Sequence, residues 1–411
     1  MGAFWRQALI LLATLALLVR CGEQVVTPTQ LPTEPTPAPP ARVTLTLWHG
    51  ESGTINETLQ RLLLDYQRNP SHNIEVHVES HGTNLLRDYK EAVLAGGSPD
   101  VVLLAENRWI GPLAKQELVL DLTSRLTDTA QTQFQPAALD GARFDQKLYG
   151  LPLTLDLPVL YYNRANISEA LPDTTNEWLA AARSFTSETN QGLAYNLSLY
   201  FTQPYASAFK AQFFEPDGEV VLGTSSFTPT LEWLSWVRDL SSDELLLARD
   251  DNRLINRAIQ QNTALMTIDW ARNLAHYRQV WGDNVGVRPL PRLSQTGDHP
   301  QPYVRSSVLA LNPRSSEAQQ NAAFNLLRFL TGAEAQTELR AIGLPTVRRD
   351  LAAADAVQAQ IELAASRGVA WPTSIRFNQS WDTLAAMLRN VLNGAPIDTT
   401  ISEADRRLRS Q

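Results

Sequence analysis

From Val43 to Trp48 apolar and polar side chains alternate in a run rich in β-formers, which predicts a strand. A loop with two glycines, His49-Gly50-Glu51-Ser52-Gly53, leads into a helix predicted from about Ile55 to Gln67. Ile74 to Glu79 reads as a second strand and Leu85 to Leu94 as a second helix. Asp100 to Ala105 is a third strand whose centre is nearly all apolar, as expected where both faces are covered. It ends in Glu106-Asn107-Arg108-Trp109, and a helix over Ile110 to Gln116 follows. This βαβαβα order predicts an α/β fold with a mostly parallel, doubly wound sheet. In such sheets ligands sit beyond the carboxyl ends of the strands, where this chain offers His49, Glu51, Asn107, Arg108 and Trp109.

The pattern changes after Tyr149. Tyr149 to Asn163 is one extended run with prolines at 152 and 158, suited to a strand that passes from one lobe to the next. Pro172 to Asn176 supply capping signals for a helix over Glu177 to Ser187. Aromatic residues then cluster at Tyr195, Tyr200, Phe201, Tyr205 and Phe209 without a period that assigns their face. Glu215 to Glu219 is a turn signal, Thr228 to Leu240 a helix and Ile255 to Asn262 a shorter one. Leu265 to Trp270 is a strand that delivers a carboxylate, Asp269, and an indole, Trp270, just before a helix over Ala271 to Val280. Two roles stand open there: a cap and a core indole, or the wall of a cleft. A strand over Tyr303 to Asn312 comes next, then a helix from Ser315-Ser316 to Thr331 and a break at Gly343-Leu344-Pro345. Helices near 352–367 and 381–393 complete the expected order, with Trp371-Pro372 between them.

The N-terminus is of another kind. Twelve apolar residues, Ala8 to Val19, follow the single charge of Arg6 and end at Arg20-Cys21-Gly22, a length that suits an export signal better than a membrane span. Residues 1–20 are therefore assigned as a signal peptide, and Cys21 as the residue that receives a lipid. Arg20 departs from the small residue that normally precedes such a cysteine; unacylated, Cys21 is an ordinary residue near a cleavage site. Residues 21–42 form a tether in which proline recurs six times between 28 and 40, too poor in apolar side chains to fold and stiffened into an extended spacer.

Composition narrows the function. The chain has 411 residues, enough for two domains, with 44% hydrophobic and 19% charged residues. Its net charge of -8, with no Lys/Arg cluster, argues against nucleic acid as partner. The single cysteine excludes an intrachain disulfide and a cysteine zinc site. No G-x-G-x-x-G or Walker loop marks a nucleotide site. His72, His77 and His81 lack the spacing and the further ligand that a metal site needs. Ten tryptophans against three methionines suit a protein that stacks on flat, partly apolar ligands, although tryptophan serves cores as well.

Several pieces in a fixed order carry a resemblance. They are the first strand ending Leu47-Trp48-His49-Gly50, the turn Gly96-Gly97-Ser98-Pro99-Asp100, and Tyr149-Gly150-Leu151-Pro152 with Leu160-Tyr161-Tyr162-Asn163. Then come Ala264 to Trp270, Gly286 to Pro291, Ala322 to Leu330, and Gly343-Leu344-Pro345-Thr346. From Val43 to Arg409 the chain resembles the family 1 extracellular solute-binding proteins of bacterial ABC importers, the group that contains maltose-binding protein. The resemblance implies a two-lobed, periplasmic-binding-protein-like α/β fold of type II. Lobe 1 would be 43–154 with 308–347, and lobe 2 would be 155–307 with 348–411. It also implies a sugar held between the lobes, transmembrane permease subunits as partners, and a monomer held by a lipid anchor on the outer face of the cytoplasmic membrane, or free in the periplasm.

Carried over position by position, the resemblance selects His49, Glu51 and Ser52 after the first strand and Asn107, Arg108 and Trp109 after the third. It adds Asp156 after the first crossover and Tyr200, Trp270 and Trp381 as aromatic platforms. Asp269 is a local addition, and Trp109 serves equally well as the cover of a helix. Carboxylates and Arg match hydroxyl pairs and an indole matches the apolar face of a pyranose, so such a site needs no catalytic nucleophile, metal or cofactor. Two other classes stay open. Paired acids such as Glu51 with Asp156, or Asp156 with Asp269, are the raw material of a glycosidase. A glycan sensor would show the same chain. Without a dense basic pocket, a glycerol phosphate ligand is disfavoured.

Overall fold

The structure, a computed structural model, describes residues 42–167, 171, 173–215 and 219–411. The assigned signal peptide, Cys21 and its tether up to residue 41, Pro172, and the centre of the turn at 215–219 lie outside the described residues.

Residues 42–411 form one compact unit built on two large sheets. The first contains β1 (Val43–His49), β2 (Ile74–Ser80), β3 (Val101–Leu104) and β4 (Leu151–Asp156). The second contains β5 (Pro158–Asn163), β6 (Gln191–Asn196), β7 (Leu247–Arg249), β8 (Ala264–Trp270) and β9 (Val285–Arg288). The chain then returns to the first sheet through β10 (Tyr303–Leu311) and the short β11 (Val369–Ala370). The first sheet runs β11-β10-β3-β1-β2 with β4 also paired to β10, and the second runs β9-β5-β8-β6-β7. These are the two α/β lobes of the type II fold, each with its own sheet. Both sheets are mixed. β1 is parallel to β2 and β3, and β6 to β7 and β8, but β10 runs antiparallel to β3 and β4, as does β5 to β8 and β9. The expectation of a mostly parallel sheet therefore holds for the βαβαβ core and not for the strands that cross over.

The extended run from Tyr149 is cut in two. Leu157 sits between β4 and β5, so a single residue separates membership of the two sheets. Its carbonyl accepts from the amide of Ala271 at 2.9 Å, which ties the crossing to the end of β8. Leu157 itself is fully buried.

Packing follows from pattern. The helix Gly53–Arg68 buries Leu59, Leu62 and Leu63 and packs on β2. The helix Thr175–Phe185 packs so closely on β6 that a Cβ at Gly192 would stand 1.7 Å from the carbonyl oxygen of Ala182, so glycine is required there. Several elements escaped the sequence reading, among them the strands β6 and β7 and two helices. The aromatic cluster after Asn196 is the helix Leu199–Ala208, with Pro204 inside it and residues buried on nearly every side, so it shows no amphipathic period. The last helix, Ile397–Arg409, carries Ile397, Ile401, Ala404 and Leu408 at helical spacing on its buried face. The preceding helix starts at Ile375, not near Trp381, with the Ser374 side chain accepting from the amide of Phe377. Trp381 is therefore mid-helix.

Candidate functional site

The C-terminal ends of β3, β4 and β8 and the first residues of β10 meet where the chain changes sheets. β10 is antiparallel to β4 with Arg305 paired to Asp156, so these two side chains arrive at the crossing together. Asp156 is nine-tenths buried; its Oδ1 accepts from the backbone amides of Leu157 and Arg272, both at 3.1 Å. Its Oδ2 meets Arg272 Nε at 2.8 Å and Arg305 Nη2 at 3.6 Å. Arg305 in turn reaches Glu106 Oε1 at 3.4 Å, and Glu106 Oε2 meets Arg108 Nε at 2.5 Å. The result is a row of alternating charge, Arg108–Glu106–Arg305–Asp156–Arg272, spanning both sheets.

Both central members lose more from burial than they gain from each other. Burial pushes the Asp156 carboxyl above its ordinary range despite Arg272 and Arg305. Burial likewise pulls the Arg305 guanidinium down despite Asp156 and Glu106. A buried ion pair set against its own desolvation is weak evidence of a stabilising role. Asp156 Oδ2 makes these ion pairs but has no hydrogen-bond partner among the described residues. Glu51 behaves the same way: burial raises its carboxyl, and Arg272 partly opposes the effect.

An aromatic wall completes the site. The Arg305 guanidinium lies 3.8 Å from the centre of the Trp270 ring and 5.6 Å from that of Tyr200. Tyr200 contacts Trp270, Trp371 and Trp381 with ring centres 5.8, 5.7 and 4.9 Å apart. The Trp270 backbone is pinned by the Tyr161 hydroxyl, which donates to its carbonyl at 3.1 Å and to that of Ala271 at 2.8 Å. The space bounded by Glu106, Asn107, Arg108, Tyr200, Arg305 and Trp371 is too narrow for a water molecule.

The residues named from sequence divide into three groups. Asp156, Tyr200, Trp270 and Trp381 are brought together, with Arg108 at one end of the charged row and Glu51 close enough to Arg272 to feel its charge. Asn107 and Asp269 are committed to the fold. Asn107, 1% exposed, donates from Nδ2 to the Trp371 carbonyl at 2.9 Å and accepts at Oδ1 from the Ser306 amide at 3.2 Å. Asp269 accepts from the Trp270 amide, Asn273 Nδ2 and the Tyr277 hydroxyl, each at 2.8 Å, so it is used locally but does not cap the following helix, whose N-cap residue is Asn273. A third group lies at the edge. Ser52 is exposed and makes no capping bond. Trp109 is half-buried against the first core, with Arg108 stacked 4.7 Å from its ring centre. His49 is buried, its Nδ1 accepting from the Glu51 amide at 3.1 Å, and so shapes the loop.

Sequence reading missed Glu106, Arg272, Arg305 and Trp371. Arg305 had a signal: a lone charge in an otherwise apolar and hydroxyl-bearing strand, two residues from Tyr303 and so on the same face. Arg272 had none beyond its nearness to Trp270.

Burial holds the His49 imidazole below its ordinary range. The folded protein therefore favours neutral His49 while the unfolded chain takes up a proton on acidification. Stability from this group is complete above the unfolded value and is lost as pH falls through the lower folded value. Melting curves from about pH 7.5 to about pH 5.5 should thus show a smaller loss for His49→Gln than for the wild-type chain. An equal loss in both would refute the assignment.

Two sheets bridged by a charged row and an aromatic wall make a two-lobed α/β protein. The chain belongs to the bacterial extracellular solute-binding protein family, whose model matches residues 65–365. It is similar to the maltotriose-binding protein of Pyrococcus abyssi, 26% identical over 175 residues, which are 42% of this chain and 38% of that relative. It is also similar to the galactooligosaccharide-binding protein of Bacillus subtilis, 29% identical over 136 residues, 33% of this chain and 31% of the relative. The matches thus span well under half the length of these relatives. Among solved structures, the maltose/maltodextrin-binding domain MalE of Bdellovibrio bacteriovorus, bound to maltotriose, superposes with a TM-score of 0.70 at 24% identity, covering 90% of this chain and 99% of that one.

Proposed function

We propose that the protein is the extracytoplasmic binding component of an ABC importer, capturing a neutral mono- or oligosaccharide between its lobes and delivering it to membrane permease subunits. The observation that carries this reading is the Arg305 guanidinium stacked on Trp270 beside an under-compensated Asp156. Aromatic face, carboxylate and guanidinium are the three groups a pyranose engages. The similarity to oligosaccharide-binding relatives supports the same class of ligand.

In this reading the lobes are 43–154 with 308–347 and 155–307 with 348–411, hinged where the chain crosses. The apposed charged row is the closed arrangement; opening the crossing admits sugar. The ligand then displaces Arg305 from the Trp270 face while Asp156, Glu51 and Arg272 take hydroxyls, and selects the closed state by its higher affinity for it. Asn107 and Asp269 hold the site without touching ligand. Export through residues 1–20 and a lipid on Cys21 would keep the protein beside its permease, as a monomer on the outer face of the membrane.

A thermal-shift screen tests the reading. A sugar that binds only the folded state at about 100 times its Kd adds about 2.7 kcal/mol of stability. Maltotriose or a related neutral oligosaccharide should raise the Tm clearly; a response confined to sugar phosphates, metal ions or amino acids would defeat the proposal. The binding reading also excludes turnover. Nitrophenyl glycosides should release no nitrophenol above background, and steady release that is lost on Asp156→Asn would replace binding by hydrolysis.

A further inference from the structure

A cavity at the far end of the first sheet stands apart from the charged row. Leu151, the first residue of β4, lines it, whereas Asp156, the last, belongs to the row, so about 17 Å of strand separates the two places. The cavity has a volume of about 550 Å³, within the range of small-molecule sites. It lies between the helix Gly53–Arg68, the start of β2 and the helix Glu317–Leu330.

Charge distinguishes it from the rest of the chain. The protein carries a net charge of -8, yet the lining groups that can be charged near neutral pH are Arg328, Arg348 and His72, with no carboxylate among them. Arg348 is matched by Asp350, which takes its Nε at 2.8 Å and its Nη2 at 2.6 Å. Arg328 has no acidic partner among the described residues. Arg125, next to the lining Leu126, gives its guanidinium to the uncharged Asn321 and Gln320, at 2.8 and 3.2 Å. Two cations without counter-charges make this recess a place of positive potential in an acidic protein.

Tyr66 adds a second donor. It is 5% exposed, it lines the cavity, and its hydroxyl has no hydrogen-bond partner among the described residues. Arg328 is close enough to oppose the rise that burial imposes on that hydroxyl. A guanidinium and a phenol side by side both donate, and one carboxylate accepts from both. Rings stand next to these donors. Tyr66 stacks on His72 at 3.9 Å and meets Phe329 at 4.7 Å between ring centres, and Phe134 lines the same space. A bare inorganic anion would leave those rings and most of the volume unused, whereas an anion with a flat apolar body covers them. We infer that this cavity binds a small aromatic carboxylate, independently of any sugar in the cleft.

Calorimetric titration of the full chain with naphthoate tests it, with naphthamide as the uncharged analogue. Naphthoate should bind once per chain, about tenfold or more tighter than naphthamide. Arg328→Gln changes an exposed position and should lower naphthoate affinity about tenfold while leaving that of naphthamide unchanged. Tyr66→Phe should lower it about threefold. Saturating maltotriose should leave naphthoate affinity as it is, and so should Trp270→Ala, so the outcome is separate from that of the sugar reading. Equal affinity for naphthoate and naphthamide overturns the site, as does an Arg328→Gln variant within about twofold of wild type. Phosphate that displaces naphthoate at equal concentration, or no heat of binding at millimolar naphthoate, overturns it as well.

Discussion

Trp270→Ala should weaken neutral-oligosaccharide binding in the cleft by about thirtyfold or more, equivalent to at least about 2 kcal/mol, while lowering the Tm of the free protein less than truncation of a fully buried ring would. The ring is half-exposed, and its main neighbours on the site side are Tyr200 and the Arg305 guanidinium. It also packs on the buried Phe201 with ring centres 5.2 Å apart, so its removal opens space mainly at the cleft and in part beside the core. Arg305 would stay in place, since Asp156 and Glu106 hold it by ion pairs independent of the indole. What disappears is the flat apolar surface against which a pyranose loses its water. Calorimetric titration with maltotriose at concentrations near the wild-type Kd measures this directly. Trp270→Phe keeps a smaller face and should recover part of the loss. An affinity within threefold of wild type in the alanine variant would remove Trp270 from the site.

That prediction began as a choice between two roles for one stretch of chain. The strand ending at Asp269-Trp270 was legible from its β-forming run, and so were the strands and helices of the first βαβαβ segment, because period and turn chemistry agree there. Roles of single residues were less legible. Asp269 and Trp270 are neighbours at one strand end, yet the carboxylate is spent on Asn273 and Tyr277 while the indole faces Arg305. Local sequence cannot separate them, since the difference lies in which side of the strand end meets another element. Arg305 shows the same limit from the other side. It is far from Asp156 in sequence and enters the site only because β10 runs antiparallel to β4 in one particular register. The helix Leu199–Ala208 stayed hidden for a simpler reason. Buried nearly all round, it has no polar face to set a period.

Asn107→Ala should do the reverse of Trp270→Ala. Both of its amide atoms are used, one on the Trp371 carbonyl and one on the Ser306 amide, positions 264 and 199 residues away along the chain. It therefore fastens the loop after β3 to β10 and to the segment that enters the helix Ile375–Leu392. Its seat is tight: a Cβ on Gly141 would come within 2.7 Å of Asn107 Nδ2. Alanine would strand a buried carbonyl and a buried amide at once, at about 1–3 kcal/mol each. The expected loss is about 2–4 kcal/mol, read as a Tm lower by several degrees, with sugar affinity close to wild type at temperatures where the variant is folded. Asn107→Asp separates the two bonds. It keeps an acceptor for Ser306 but buries a charge and sets an oxygen against the Trp371 carbonyl, so at neutral pH its Tm should fall at least as far as that of alanine. If Asn107 contacts sugar instead, Asn107→Ala will lose affinity at unchanged Tm. The pair of variants, Trp270→Ala and Asn107→Ala, thus tests whether the groups that bind at this crossing are separate from the groups that hold it together.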